Sequence, residues 1–190
     1  MSLTDSNYSS AEQHQLLHVA RDSIVCGLDT GQALAIDVRT QPPALQKFRA
    51  TFVTLQLNKQ LRGCIGNLEA TRTLVEDVAH NAYAAAFRDP RFTPLTAAEY
   101  NDLELHISVL SPPEIMRVDS EADLLRQLRA GVDGLILEEG ARRATFLPTV
   151  WESLPEPREF LRHLKHKAGL PANYWSNTLK TRRYTTELIE

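Results

Sequence analysis

Cysteine is scarce in this chain: 190 residues carry two, Cys26 and Cys64, far apart in sequence. That excludes a disulfide framework, and no Cys/His grouping has zinc-finger spacing, nor is there a His-Glu-x-x-His segment. Long apolar runs are missing too; none approaches the roughly 18 consecutive residues that a membrane span needs. Positive charge is not in excess, since 21 Lys and Arg stand against 24 Asp and Glu for a net charge of −3. This weighs against nucleic acid or an anionic membrane surface as the partner. The first ten residues hold one acid, no base and no apolar stretch, so they lack the marks of a secretory signal and a cytoplasmic protein is expected. Repeats, low-complexity tracts and an evident linker are also absent, so residues 1–190 are expected to form a single domain of two intertwined lobes rather than two domains in series.

What is present is an ordinary globular composition, 43% apolar and 24% charged, with clear periodicities. Leu16, Leu17, Ala20, Ile24 and Leu28 recur at helical spacing after Ser9-Ser10, and Gly31 is the expected stop. Residues 48–57 alternate as a strand, 58–60 turn, and 61–68 pair back as a second strand. A helix is expected over 70–88, ended by Asp89-Pro90. After a loop over 91–102, residues 103–110 alternate cleanly as a strand buried on one side. A short helix is expected from Ser120 to about Arg129, then a hairpin over 135–147, a helix after Pro157 and a last strand over 179–185. Hairpins without regular β-α-β alternation predict antiparallel sheets and an α+β fold, with a doubly wound parallel sheet as the weaker alternative.

The chemistry, if the chain has any, concentrates in Leu61-Arg62-Gly63-Cys64-Ile65-Gly66. Two-residue alternation puts Arg62, Cys64 and Gly66 on one face, with Leu61 and Ile65 as core anchors on the other. A fixed positive charge beside a thiol favours the thiolate, which is the nucleophile and the metal ligand. Gly63 and Gly66 remove side chains near the sulfur, so a ligand or another backbone can come close. The structural reading stands beside this one: cysteine is often a small buried hydrophobe, and strand glycines often mark a bulge. Residue types alone leave both open.

Arg91 sits in a loop, either as an anion clamp or as a tie to backbone carbonyls. His106 shares the polar face of its strand with Glu104, an acid–base arrangement that more often is merely solvated. Arg158, Arg162, His163, Lys165, His166 and Lys167 make the last helix basic, which fits an outward face whose cations complement the helix dipole. Trp151 and Trp175 read as packing residues.

The hexapeptide resembles the hallmark of the AMMECR-one domain family, whose prokaryotic members are called AmmeMemoRadiSam system protein A. The resemblance continues in Asp89-Pro90-Arg91-Phe92-Thr93-Pro94, in Ile107-Ser108-Val109-Leu110-Ser111-Pro112, in Gly134-Leu135-Ile136-Leu137 with Ala144-Thr145-Phe146-Leu147-Pro148, and in Trp151, Phe160-Leu161 and Tyr174-Trp175. These blocks lie in order and span nearly the whole chain. The resemblance implies two unequal α+β lobes, each with an antiparallel sheet, and a cleft between them faced by the hexapeptide. The residue pattern itself makes Cys64 and Arg62 the candidate catalytic residues, and Gly63, Gly66, Arg91 and Thr145 candidate substrate or partner contacts. A Memo-type protein and a radical S-adenosylmethionine protein are the implied partners in a shared pathway. No metal or cofactor is called for, no reaction is implied, and both a binding module and an enzyme fit.

Overall fold

The computed structural model describes residues 6–190; the reading of the first ten residues therefore lies half outside the described residues. Local chemistry accounts for most element boundaries. The first helix, α1 (Ser10–Thr30), opens on a capping box between Ser9 and Glu12 and closes on Gly31 at φ 73°. β1 (Thr51–Leu57) and β2 (Gln60–Gly66) join through Asn58 and Lys59, both at positive φ (51° and 62°). This is a two-residue turn of the primed kind, whose twist matches the paired strands. α2 (Leu74–Phe87) starts later than residue 70 because Thr73 and Glu76 form a second capping box. The stretch 91–102, expected as loop, contains a helical turn, α3 (Ala97–Tyr100), headed in the same way by Thr96 and Glu99. β3 (Leu103–Leu110) has the expected bounds.

Further along, β4 (Glu114–Met116) has no counterpart in the sequence reading. Ser120 caps α4 (Glu121–Gln127), and β5 (Gly134–Glu139) and β6 (Arg142–Phe146) form the expected hairpin. α5 (Pro157–Lys167) follows. The single last strand expected over 179–185 is instead two, β7 (Lys180–Tyr184) and β8 (Thr186–Ile189), which belong to different sheets.

The chain divides into two compact units, residues 1–110 with Glu187–Glu190, and Ser111–Thr186. In the first, the sheet order is β2-β1-β3-β8, with β1 antiparallel to β2 and β3. Val53, Leu55, Leu105 and Ile107 of its strands pack with Leu16 and Ile24 of α1 and Val78 and Ala82 of α2. Burial of such side chains is the dominant stabilising term, about 1.5–3 kcal/mol each. In the second unit the order is β4-β7-β5-β6, again antiparallel. Its core joins Leu135 and Leu137 to Phe160 and Leu164 of α5, with Trp151 stacked on Phe160 at 3.8 Å between ring centroids. The fold is α+β with two antiparallel four-stranded sheets.

Lys165 departs from the expected outward basic face. It is fully buried, where its Nζ donates to Glu121 at 2.8 Å and to the Ala172 carbonyl at 3.2 Å. Leu161, Leu164 and Ala168 lie on the same helical face, so its position in the helix, not its charge, sets its burial.

Candidate functional site

β2 is an edge strand, and its register determines what the hexapeptide presents. Leu55 pairs with Gly63 but Gln56 with Leu61, which leaves Arg62 as the extra residue of a β-bulge. The bulge overturns the expected role of Leu61: it is 44% exposed, while Ile65 packs against the core as expected.

Neither glycine gap is empty. A Cβ on Gly63 would run into the backbone carbonyl oxygen of Ala85, so this glycine lets α2 lie directly on the strand. A Cβ on Gly66 would meet the Thr51 carbonyl oxygen and the Phe52 ring. Close approach by the chain itself, rather than by a ligand, fills the space that each glycine leaves.

An exposed strand edge leaves N–H and C=O groups unpaired. Here Asp89 and Arg91 take their place. The Cys64 N–H donates to the Asp89 carboxylate at 2.9 Å, and Arg91 Nη2 donates to the Cys64 carbonyl at 3.2 Å. Asp89 and Arg91 also bind each other, at 2.9 and 2.7 Å through the guanidinium. The Arg91 guanidinium first, then the N–H groups of Cys64 and Arg91, hold the Asp89 carboxyl well below the ordinary carboxylate range. Arg91 thus ties the carbonyl of a strand residue, Cys64, rather than loop carbonyls at the helix end, and the carboxylate that its guanidinium clamps is the chain's own Asp89.

Arg62 is equally engaged. Its Nε and Nη2 form a two-point pair with Glu99 at 2.8 and 3.2 Å, and Nη2 also donates to the Thr93 carbonyl at 3.0 Å. The Arg62 guanidinium, followed by the Thr96 N–H, lowers Glu99 to about 2. At the other end of β2, Asn67 donates to the buried Asp77 of α2 at 3.0 Å, and Asp77 in turn accepts from the Thr51 N–H and hydroxyl. The hexapeptide is thus fixed at both ends and in the middle.

On the sheet face opposite α1 and α2, Thr54 pairs with Cys64 on one side and His106 on the other. Directly paired residues share a face. The Thr54 hydroxyl donates to Cys64 Sγ at 3.3 Å, and His106 Nδ1 lies 3.1 Å from the Glu190 carboxylate. Cys64 is half-buried and not disulfide-bonded.

The structure therefore brings Arg62, Gly63, Cys64, Gly66 and Arg91 together around one strand edge. Thr145 lies in the second unit, on β6, where its hydroxyl donates to the Leu135 carbonyl at 2.9 Å and sits 2.9 Å from the Tyr184 hydroxyl. Burial raises that tyrosine to about 12. Asp89, Glu99 and Thr54 were missed as members of the site. The Thr96-x-x-Glu99 capping signature marks Glu99 as a helix-start residue but not as the partner of Arg62. Among the described residues no three His, Cys, Asp or Glu side chains are grouped to hold a metal, and no helix is long and apolar enough to cross a membrane.

Comparison with known proteins agrees with this architecture. The chain is similar to Protein MJ0810 of Methanocaldococcus jannaschii, 36% identical over 82% of this chain and 79% of that one. A Thermofilum pendens protein is 35% identical over 95% and 90% of the two chains. The crystal structure of the uncharacterized protein PH0010 from Pyrococcus horikoshii superposes with a TM-score of 0.86 at 33% identity, covering 95% of this chain and 91% of that one. Residues 17–189 match the AMMECR1 family, and the chain belongs to it.

Proposed function

We propose that this AMMECR1 protein is a cytoplasmic binding module, which takes a peptide or small-molecule substrate, or the surface of a partner protein, over Cys64. The observation that carries the reading is the internal pairing of every charge on the hexapeptide's edge. Arg62 is paired with Glu99 and Arg91 with Asp89, while the Cys64 N–H and carbonyl are both occupied. A strand held this firmly presents its thiol at a fixed place, the preorganisation that a binding constellation needs. The partners to test come from the family resemblance: a Memo-type protein and a radical S-adenosylmethionine protein. Alkylation of Cys64, followed by mass spectrometry, should slow in the presence of a true partner, and Arg62→Met or Arg91→Met should weaken the association. Undiminished alkylation beside both partners, with association intact in both variants, overturns the partner form of this reading.

A second reading, a thiol-dependent enzyme with Cys64 as nucleophile, is favoured by the hydroxyl beside its sulfur and by the histidine in the same row.

A further inference from the structure

The sheet of the second unit turns one face to its core, through Leu135, Leu137 and Ala144. Alternation puts Glu138 of β5 on the other face. Directly across from Glu138 stand Arg143 on β6 and Lys180 on β7, and directly paired residues share a face. Arg182, two residues beyond Lys180, lies on this face too, as does Ile115 of the edge strand β4, which pairs with it. Arg143 Nε and Arg182 Nη2 converge on the Glu138 carboxylate at 3.0 and 3.4 Å. Lys180 has no side-chain hydrogen bond or ion pair among the described residues, and neither has Arg117, which follows β4. Ile115 is 76% exposed.

Two depressions in this surface share Lys180 as a border. One, of about 400 Å³, is lined by Ile115, Arg117, Lys180 and Arg182 with one acid, Asp119. The other, of about 380 Å³, is lined by Arg142, Arg143 and Lys180 with one acid, Glu138. Cations outnumber acids in both, although the whole chain has a net charge of −3. Lys180 and Arg117 add charge that no acid in the described fold answers. An anionic partner relieves such local repulsion and is drawn to it from solution.

We propose that this face docks an acidic, extended segment of a partner protein, with carboxylates over Lys180 and the arginines and one apolar side chain over Ile115. Three sheet steps separate β4 from β6, about 14 Å at the usual strand spacing, and about four extended residues span that distance. The arginine forks suit carboxylates, which accept two parallel hydrogen bonds from one guanidinium. A nucleic-acid strand fits less well. Neither depression has an aromatic ring in its lining on which a base could stack. Glu138 interrupts the track that successive phosphates would follow, and Ile115 has nothing apolar to meet on a phosphate backbone. All these residues belong to the second unit, so the docking goes beyond the function proposed for Cys64.

The test uses the full chain and a fluorescently labelled peptide, Leu-Asp-Glu-Ser-Asp-Glu, read by anisotropy. Its uncharged counterpart is Leu-Asn-Gln-Ser-Asn-Gln, and a labelled oligothymidine strand is the polyanion control. The acidic peptide is expected to bind about tenfold or more tightly than its counterpart, and to weaken as salt rises. K180Q and R117Q remove cations without a partner in the described fold, and each should weaken binding about two- to fivefold, the range of an exposed charge pair. I115T should cost about fourfold, the worth of roughly one buried methylene. E138Q should act in the opposite direction and tighten binding about two- to fivefold, because it removes the acid that competes for the arginines. A residue that served only the fold would not yield that gain. Thermal melts identify any variant that misfolds, and K180Q and R117Q decide the matter if I115T or E138Q does. No binding of the acidic peptide at millimolar concentration, equal binding of the two peptides, or an unchanged affinity in the K180Q/R117Q double variant overturns the proposal. So does a preference for oligothymidine that the double variant abolishes, which would make the surface a nucleic-acid site.

Discussion

Each unit of the molecule contains a buried aspartate paired with a half-exposed arginine, and the two pairs differ in reach. The Asp89 side chain is 2% exposed and Arg91 54%; Asp133 is 0% exposed and Arg129 54%. In both, the aspartate accepts the backbone N–H of its arginine as well as the guanidinium, at 3.1 Å for Arg91 and 2.9 Å for Arg129. Asp133 does little beyond this, so its carboxylate closes a local turn while its carbonyl receives the Trp151 indole N–H at 2.7 Å. Asp89 and Arg91 additionally grip both backbone groups of Cys64, 25 and 27 residues away in sequence. The same ion pair is a turn lock in one unit and an edge plug in the other. The long-range version serves the strand that carries Cys64.

A glycine in each sheet offers the strongest way to break this comparison. Gly63 faces the Ala85 backbone and Gly134 faces the Tyr184 ring. Backbone cannot yield without shifting a helix, whereas a ring can turn. G63A should cost about 3 kcal/mol and G134A about 1 kcal/mol, the two ends of the usual overpacking range. Urea unfolding measures both; equal losses would show that the two glycines are held by equally stiff surroundings.

D89N and D133N come next, each expected to cost about 1–3 kcal/mol through loss of a buried acceptor for charged and backbone donors. Their difference should appear at Cys64. D89N weakens the bond to its N–H, so hydrogen exchange at the Cys64 amide should accelerate in that variant alone. Accelerated exchange in D133N would contradict the local role given to that pair.

Acid sharpens the contrast through the first unit's carboxylates. Glu99 is lowered to about 2, and Asp89 lies well below its ordinary range, both chiefly by their arginines. A depressed folded value contributes stability that is fully present above the unfolded carboxylate value near 4, and that is lost as pH falls through the folded one. The stability of wild-type protein should therefore drop between about pH 5 and pH 2. E99Q, which cannot ionise, should be less stable at pH 7 and show a shallower drop; an unchanged slope would mean that the Arg62–Glu99 pair is screened by solvent.

Much of this arrangement was legible in the sequence, because alternation and capping are local. The strand 103–110 and the shared face of Cys64 with the polar side of β2 follow from period two alone. Ser9-x-x-Glu12 marks a helix start, and Thr73-x-x-Glu76 carried the same signal that the helix begins after residue 73. The exposure of Leu61 was not legible, because a bulge depends on how the partner strand pairs. The grip of Asp89 and Arg91 on Cys64 was hidden for a related reason: nothing near residue 89 records which edge its loop will cover. The row of Cys64, Thr54 and His106 needs the register of three strands at once. Local periodicity can give the face but not the neighbour.

The smallest expected effect separates the two hairpin turns. Between β5 and β6 the positive φ, 58°, falls on Gly140, whereas between β1 and β2 it falls on Asn58 and Lys59. Asparagine tolerates the left-handed region, but lysine pays the steric cost of its Cβ there, about 1–2 kcal/mol. Glycine removes that cost and adds unfolded-chain entropy, which opposes part of the gain. K59G should therefore stabilise the protein by about 0.5–1 kcal/mol, visible as a small rise in the urea midpoint at constant slope. Since Asp89 and Arg91, rather than the turn, hold the backbone of Cys64, its alkylation rate should stay at the wild-type value. A rate that changes with K59G would mean that strain in the hairpin turn reaches Cys64 past the edge plug, and that the strand is held less independently than its hydrogen bonds indicate.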